Sequence, residues 1–516
     1  MDKQAAQEQR NPLPNSTKPV QTLSTSLDDM LGLFRQIFNN DETLKIRVLN
    51  NIHSEGVRFG LIYVDGMIDR ETIQYGVIKP LMDFDYKAMN SGNTAEMLEN
   101  IRTMVISIGD VVCSTSLDEM IGAVIAGKTL FLLDGFAGAL VISAEGWETK
   151  AIAEPVTEKS IMGPREGFTE SLLVNLTLIR RRLQSPDLKI IFSQIGSRSK
   201  TQACICYIEG LASPEIVKEL QKRVQQVDID VVLDTSVLAE LIRDEPLSPF
   251  EMTGSTERPD TLISKIMEGR VALLMEGNSY AMTVPYLFIE NFQASSDYYS
   301  SYYFGSFNRI IRILGAFLSI SIPALYVALV TYNQEMLPTM LLLSISISRV
   351  SVPFPTVVEV LFMLTLFEIL REAGERSPTY VGHAISIMGA LVLGQAAVEA
   401  RIVSAPMIIV VGLTGIMAML NPRLTGSLIV IRSLLLFATF ALGLYGYFLG
   451  VIGLMIHLMS LRSFGVQYML GIGSIRPQDI KDLAIRAPWW HMYLRPAIIG
   501  KRNRKRKSTD KARKWS

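Results

Sequence analysis

At 516 residues the chain is long enough for two or three domains. Hydrophobic residues make up 49% and the mean hydropathy is +0.27, too apolar for an ordinary soluble protein and too polar for a chain that is membrane throughout. Lys+Arg and Asp+Glu stand at 50 each, so net charge singles out no partner and the chain reads as a polar half followed by an apolar half.

Residues 1–25 are polar and proline-containing without periodicity, the composition of a disordered segment. They hold no apolar stretch of a signal peptide, so the polar half is expected in the cytoplasm. From residue 26 to 294 strand-like and helix-like runs alternate, the pattern of an α/β or α+β domain. Val57–Gly66 reads as a strand ending in a turn, and Asp69–Met82 as a helix opened by a capping aspartate. The unit recurs. Leu61–Gly66 (LIYVDG) matches Ile205–Gly210 (ICYIEG), and Gly127–Gly135 (GKTLFLLDG) matches Gly269–Gly277 (GRVALLMEG). The offsets are 144 and 142 residues, so two related subdomains are expected, one over 26–160 and one over 161–294 that opens with a linker helix. The paired ends Asp65-Gly66, Asp134-Gly135, Glu209-Gly210 and Glu276-Gly277 read as turns rather than as a metal site, and no metal or cofactor is expected.

The three cysteines read as buried, reduced thiols: Cys204 and Cys206 share one face of a strand, and Cys113 stands apart. Between the repeats, Thr169 can cap the helix that follows, and Arg180, Arg181 and Arg182 fan over roughly 200° of it. Three arginines without an aromatic stripe do not point to nucleic acid. With Arg165 and Glu166 they are candidates for interdomain or intersubunit ion pairs.

At Ser295 the composition changes. Ser295–Phe307 is crowded with aromatics, as at a bilayer interface. Residues 313–334 carry no formal charge and are long enough to span, with Pro323 inside. Further apolar segments cover 337–348, 356–370, 381–400, 402–421 and 428–461. The first is too short to cross and suggests a re-entrant piece. The last exceeds one span and breaks as a hairpin near Gly443, Gly446, Gly450 or Gly453, or else tilts strongly. A cytoplasmic N-domain and a basic tail over 471–516 demand an even number of spans, yet five segments look long enough, so one must be doubled or partly inserted. The helical domain is placed at 295–470.

Ionisable groups inside such segments are costly and therefore functional candidates. Glu359 and Glu368 lie nine residues apart, on opposite faces of a helix, so they cannot form one carboxylate pair there. Glu359 is the candidate for an ion path, and Glu368 pairs locally with Arg371. Arg432 requires a carboxylate or carbonyl partner. Ser386, Ala390 and Gly394 give small-xxx-small spacing for close helix packing, with Ile385 beside them. Gln395 and Glu399, one turn apart, form a polar strip on a neighbouring face, suited either to an aqueous path in an oligomer or to plain packing at the surface. Gly446 and Gly450 form a GxxxG packing motif. No P-loop, HExxH, GxSxG or CxxC occurs, so no catalytic residue is assigned and the chain is not read as an enzyme.

Gly163–Arg182 (GPREGFTESLLVNLTLIRRR), Val284–Tyr299, Val352–Gly374, Gly382–Ala400 and Leu461–Met469 together resemble the GerA family, the A subunits of spore germinant receptors. The likeness covers most of the chain beyond residue 25. It departs at Val350 and Ser351, where the family usually has an acidic-Gly pair before VPFP, and at Gln467, where proline is usual. The resemblance implies a cytosolic N-domain of two α/β subdomains and a multi-pass helical domain in the spore inner membrane. It implies as partners a transporter-like B subunit and a lipoprotein C subunit. It also implies a homo-oligomeric ring that conducts monovalent cations when nutrient is sensed. A SpoVAF-type accessory channel subunit shares these motifs and is an alternative. A secondary transporter is another, disfavoured because the repeat lies only in the soluble half.

Overall fold

Short, mostly apolar runs bounded by turns produce two five-stranded sheets in the N-terminal half. A computed structural model describes residues 23–51, 57–86, 94–146, 154–155, 157–160, 162–376, 392–470, 482–492 and 495. The chain divides into two compact units. The first comprises residues 1–152 and 169–193, and the second residues 153–168 and 194–516.

In the first unit, β1 (Leu44–Asn50), β2 (Arg58–Val64), β3 (Val111–Ser114), β4 (Thr129–Leu133) and β5 (Ala139–Ile142) form a sheet in the order β1-β2-β4-β5-β3, antiparallel throughout. Both faces are covered. Phe59, Leu61, Phe131 and Leu133 point to one helical layer. Ile62, Val64, Leu130 and Leu132 point to the other, which includes α1 (Leu27–Ile37) and α2 (Leu117–Ile125). Asp69 accepts from the N–H groups of Glu71 and Thr72 and opens the expected helix over 70–83. Pro80 has no N–H for the carbonyl of Gly76, and that carbonyl instead accepts from Ser107 N at 3.0 Å. The helix α3 (Leu172–Arg182) lies with this unit, not with the second repeat to which its sequence position assigns it.

The second sheet consists of β6 (Leu188–Ile195), β7 (Thr201–Ile208), β8 (Gly254–Thr256), β9 (Val271–Met275) and β10 (Ala281–Val284) in the order β6-β7-β9-β10-β8. The chain passes from the first unit to the second within β6. The strand order is that of the first sheet, and the two sequence repeats fall on equivalent strands, β2 with β7 and β4 with β9. The recorded pairings are antiparallel, which selects α+β from the two classes the sequence allowed. Gly66, Gly135, Gly210 and Gly277 all have φ between 79° and 91°, so the acidic-Gly ends are turns. Ile205, Leu273 and Met282 pack under α4 (Pro214–Gln225), while α5 (Pro259–Met267) precedes β9.

Two sequence expectations are corrected. Cys113 is exposed, because β3 is an edge strand that turns two successive residues outward; Cys204 and Cys206 are buried, with sulfurs 3.7 Å apart and unbonded. Thr169 does not cap α3, whose N-cap is Ser171. Its N–H instead donates to Asn175 Oδ1 at 2.7 Å and its carbonyl accepts from Asn175 Nδ2 at 2.6 Å.

The helical region of the second unit begins with α6 (Tyr302–Val327), prolonged by a π-turn over Ala328–Tyr332. It continues with α7 (Thr339–Arg349), α8 (Thr356–Arg376), a helix over 392–399, α9 (Ala405–Met419), α10 (Thr425–Leu442) and α11 (Leu444–Ser460). By length and composition, Tyr302–Tyr332 and Pro422–Leu442 are apolar enough to cross a membrane, at mean hydropathies of 2.2 and 1.9. The long last segment is doubled at Gly443, whose φ of +61° ends α10. Asn421 Nδ2, just before α10, donates to Arg312 O at 2.8 Å about three turns into α6, and the Tyr332 hydroxyl donates to Phe440 O at the far end of its π-turn. After α11 the motif around Phe464 folds back: Phe464 joins the core of the second sheet, and Ser463 Oγ donates to Met252 O at 2.7 Å.

Candidate ion-path and packing sites in the helical region

Glu359 lies in the first turn of α8 with its side chain fully buried. Its Oε1 accepts from the N–H and, at 2.6 Å, the hydroxyl of Ser404, the N-cap of α9. A carboxylate suits that place, where a helix leaves N–H groups unsatisfied and the dipole is positive. Arg349 Nε, from the end of α7, is 3.8 Å from Oε2. Glu368, half a turn out of phase, does different work. It accepts from Arg371 at 2.8 Å and from Arg432 of α10 at 2.7 Å, which supplies the carboxylate Arg432 required. The structure thus keeps the two acids apart, each tying α8 to another helix.

Gln395 donates to Glu399 at 2.9 Å, and both are exposed. Gly394 is buried, and a Cβ there would meet Ile408 at 3.8 Å. Ile385, Ser386 and Ala390 lie outside the described residues. At Gly446 a Cβ would come 2.0 Å from the carbonyl oxygen of Ala438, and at Gly450 2.5 Å from Leu435, so α10 and α11 touch through these glycines.

In the first unit Arg180 is buried, and its Nη2 bonds to Asp41 and to Thr43 Oγ1 of the same unit. Arg181 is half-buried and Arg182 exposed, as the fan around α3 requires. In the second unit Arg165 pairs with Glu154 at 3.2 Å on the surface, and Glu166 is half-buried.

Sequence reasoning missed the buried ion clusters at the base of α6. Asp297 holds Arg309 and Arg312, and Arg309 Nη1 also donates to Asp482 at 2.9 Å. Burial raises the Asp482 carboxyl above its ordinary value, against the pull of Arg309. Nearby, Glu290 binds Lys265 and Arg270. Burial pushes the Lys265 amine down despite Glu290. Burial also acts to lower Arg270, but Glu290 and Glu268 outweigh it and its value rises. The crowded aromatics and the spacing of Arg309 and Arg312 marked the place, but nothing local marked partners such as Asp482, 173 residues on. Among the described residues no group of three or more His, Cys, Asp or Glu is placed to hold a metal.

Residues 33–498 match the model of the Bacillus/Clostridium GerA spore germination protein family. Among similar proteins, an uncharacterized membrane protein of Bacillus subtilis, YfkQ, is 39% identical over 445 residues, covering 86% of each chain. Spore germination protein KA of the same organism is 38% identical over 495 residues, covering 96% of this chain and 90% of its own. Spore germination protein GerLA of Bacillus cereus is 36% identical, covering 86% of this chain and 89% of its own. A crystal structure of the N-terminal domain of the A subunit of the Bacillus megaterium spore germinant receptor GerK3 aligns with a TM-score of 0.41 at 28% identity, over 52% of this chain and 98% of that one. With a family match over nearly its whole length, the chain belongs to the Bacillus/Clostridium GerA spore germination proteins.

Proposed function

We propose that this chain is a membrane subunit of a nutrient-sensing spore germinant receptor, seated in the spore inner membrane with its N-domain on the cytoplasmic side. In this reading it assembles as a ring around a monovalent-cation path, beside transporter-like B and lipoprotein C subunits. Its family and the names of its relatives support the germination role. Two long apolar helices and the hairpin of α10 and α11 support the membrane. Glu359 meets Ser404 and Phe367 lies on Gly415, so α8 and α9 run parallel.

The observation that carries the channel reading is the exposed, hydrogen-bonded pair Gln395 and Glu399 on the otherwise apolar helix over 392–399. Polar side chains left on an apolar surface find water or one another when copies assemble. Glu359, buried and bonded through Oε1 to Ser404, serves in this reading to hold the helices rather than to face the path. The test is cation flux through liposomes carrying the purified protein, with oligomeric mass measured alongside. A defined oligomer whose flux changes in Glu399→Gln and Gln395→Leu supports the reading. Unchanged flux in both variants, with B and C subunits supplied, defeats it.

A further inference from the structure

Where the 157–160 segment, α5, the Phe288–Phe292 turn and the starts of α6 and α10 converge, a cavity of about 470 Å³ opens. Four carboxylates and four cations line it, but their hydrogen-bonding states differ. Both oxygens of Glu290 are taken, by Lys265, Arg270 and the Leu287 N–H. Both oxygens of Asp260 are held by Arg258 and Tyr299, and both of Glu158 by Thr256 and Arg423. Glu268 pairs with Arg270. The cations keep donors in reserve. Arg312 uses Nε and Nη2, on Phe292 O and Asp297, which leaves Nη1. Arg423 uses only Nη2, and no described residue occupies Lys159 Nζ. Three of the four carboxylates have both oxygens bonded while three of the four cations keep donors, so the charged lining suits an anion with several oxygens better than a cation. Arginine pairs with phosphate oxygens for the same geometric reason that it pairs with carboxylates.

Between hydroxyl and amide side chains such as Ser264, Ser295 and Gln293, the lining also carries an apolar patch of Phe292, Leu420, Pro422 and Trp489. Beside the cavity Tyr303, Phe304, Phe307 and Trp490 are exposed on the start of α6 and the segment packed against it, with Trp490 edge-on to Tyr302. Exposed Trp and Tyr at one level of a helical bundle mark the headgroup region. A ligand with a phosphate at one end and hydrocarbon at the other satisfies both walls.

We propose that this cavity binds the phosphate of a membrane phospholipid, its glycerol and first acyl carbons against Leu420 and Trp489. The inference rests on the membrane placement above and goes beyond the channel reading. The full chain, purified in detergent and washed free of loose lipid, is assayed for bound phosphorus and by native mass spectrometry. The expected result is about one phospholipid retained per chain, bound roughly tenfold more weakly in a triple variant Lys159→Gln, Arg423→Gln, Glu158→Gln, which removes two donors and keeps Arg423's partner from being left charged. Leu420→Trp, which crowds the apolar wall without touching the charges, is expected to lower retention as well. Flotation with phosphatidylglycerol liposomes tests the membrane placement separately. A chain that floats but retains no phospholipid, or retains it equally in all variants, overturns the proposal and leaves the membrane reading standing. Inorganic phosphate that displaces the lipid and binds equally well to lipid-free protein overturns the lipid source and identifies a small-anion site.

Discussion

The two sheets share one strand order, yet the cation at the head of their fourth strands meets opposite fates. Lys128 follows Gly127, and Arg270 follows Gly269, both glycines with φ near 95–99°. Lys128 is about one-third exposed; its amine donates to Ser143 at 2.8 Å and lies 3.8 and 3.9 Å from Asp110 and Glu145. Arg270 is 4% exposed, with Glu290, Glu268 and the Pro285 carbonyl as partners. The backbone repeat sets where a cation stands; what arrives from outside the repeat sets what it does. Here the arrival is Glu290, on the segment that leads into α6, so the second sheet became the footing of the helical region.

The largest test of this contrast is Glu290→Ala. It strands Arg270 and Lys265 in a buried place and is expected to cost about 3–5 kcal/mol. Removing Asp110 and Glu145 around Lys128 is expected to cost about 1 kcal/mol or less, since solvent replaces them. Thermal and denaturant unfolding of the full chain measures both, and equal losses would end the contrast. What the copies still share is tested next. Leu61 and Ile205 occupy equivalent, buried positions. Leu61→Ala and Ile205→Ala are each expected to cost about 2–5 kcal/mol through the cavity they leave. A marked asymmetry between them would show that the cores have diverged along with the charges.

The smallest effect is at Asp134. It accepts from Leu27 N at 3.0 Å and pairs with Arg58 at 2.9 Å. The Leu27 N–H first, and Arg58 after it, hold its carboxyl below the ordinary 3.8. The stability this provides is present above the ordinary value and is lost as pH falls through the depressed one. Asp134→Asn should therefore lower stability modestly near neutral pH and flatten the decline as pH falls below about 4, read as melting temperature against pH. An unchanged acid limb would show that Asp134 is not linked to folding.

The duplication was legible because its turns demand Gly after a polar residue, and such positions survive divergence at the level of pattern. The side of α3 was not: adjacency in sequence says nothing about which sheet an amphipathic helix covers. Glu368 was recognised as pairing with Arg371 from their spacing, and Arg432 as needing a carboxylate, but that one residue answers both was invisible across 64 positions. Among four glycines in the long apolar segment, only the backbone angle of Gly443 separates the breaker from Gly446 and Gly450, which serve close packing. Cys113 was misplaced because burial was inferred from residue type, whereas an edge strand faces outward on one side.

The contacts between α6 and α10 have a mechanical meaning. Held through Asn421 to Arg312 and through Tyr332 to Phe440, α6 and α10 form a strut tied at two levels, and α11 stiffens it through the close approach at Gly446. The helix α8 packs Val357, Val360, Met363 and Leu364 among the side chains of its neighbours, and two carboxylates give that packing direction: Glu359 ties α8 to the start of α9, and Glu368 ties it to α10. A change at one carboxylate therefore acts on one neighbour of α8 and leaves the tie to the other in place.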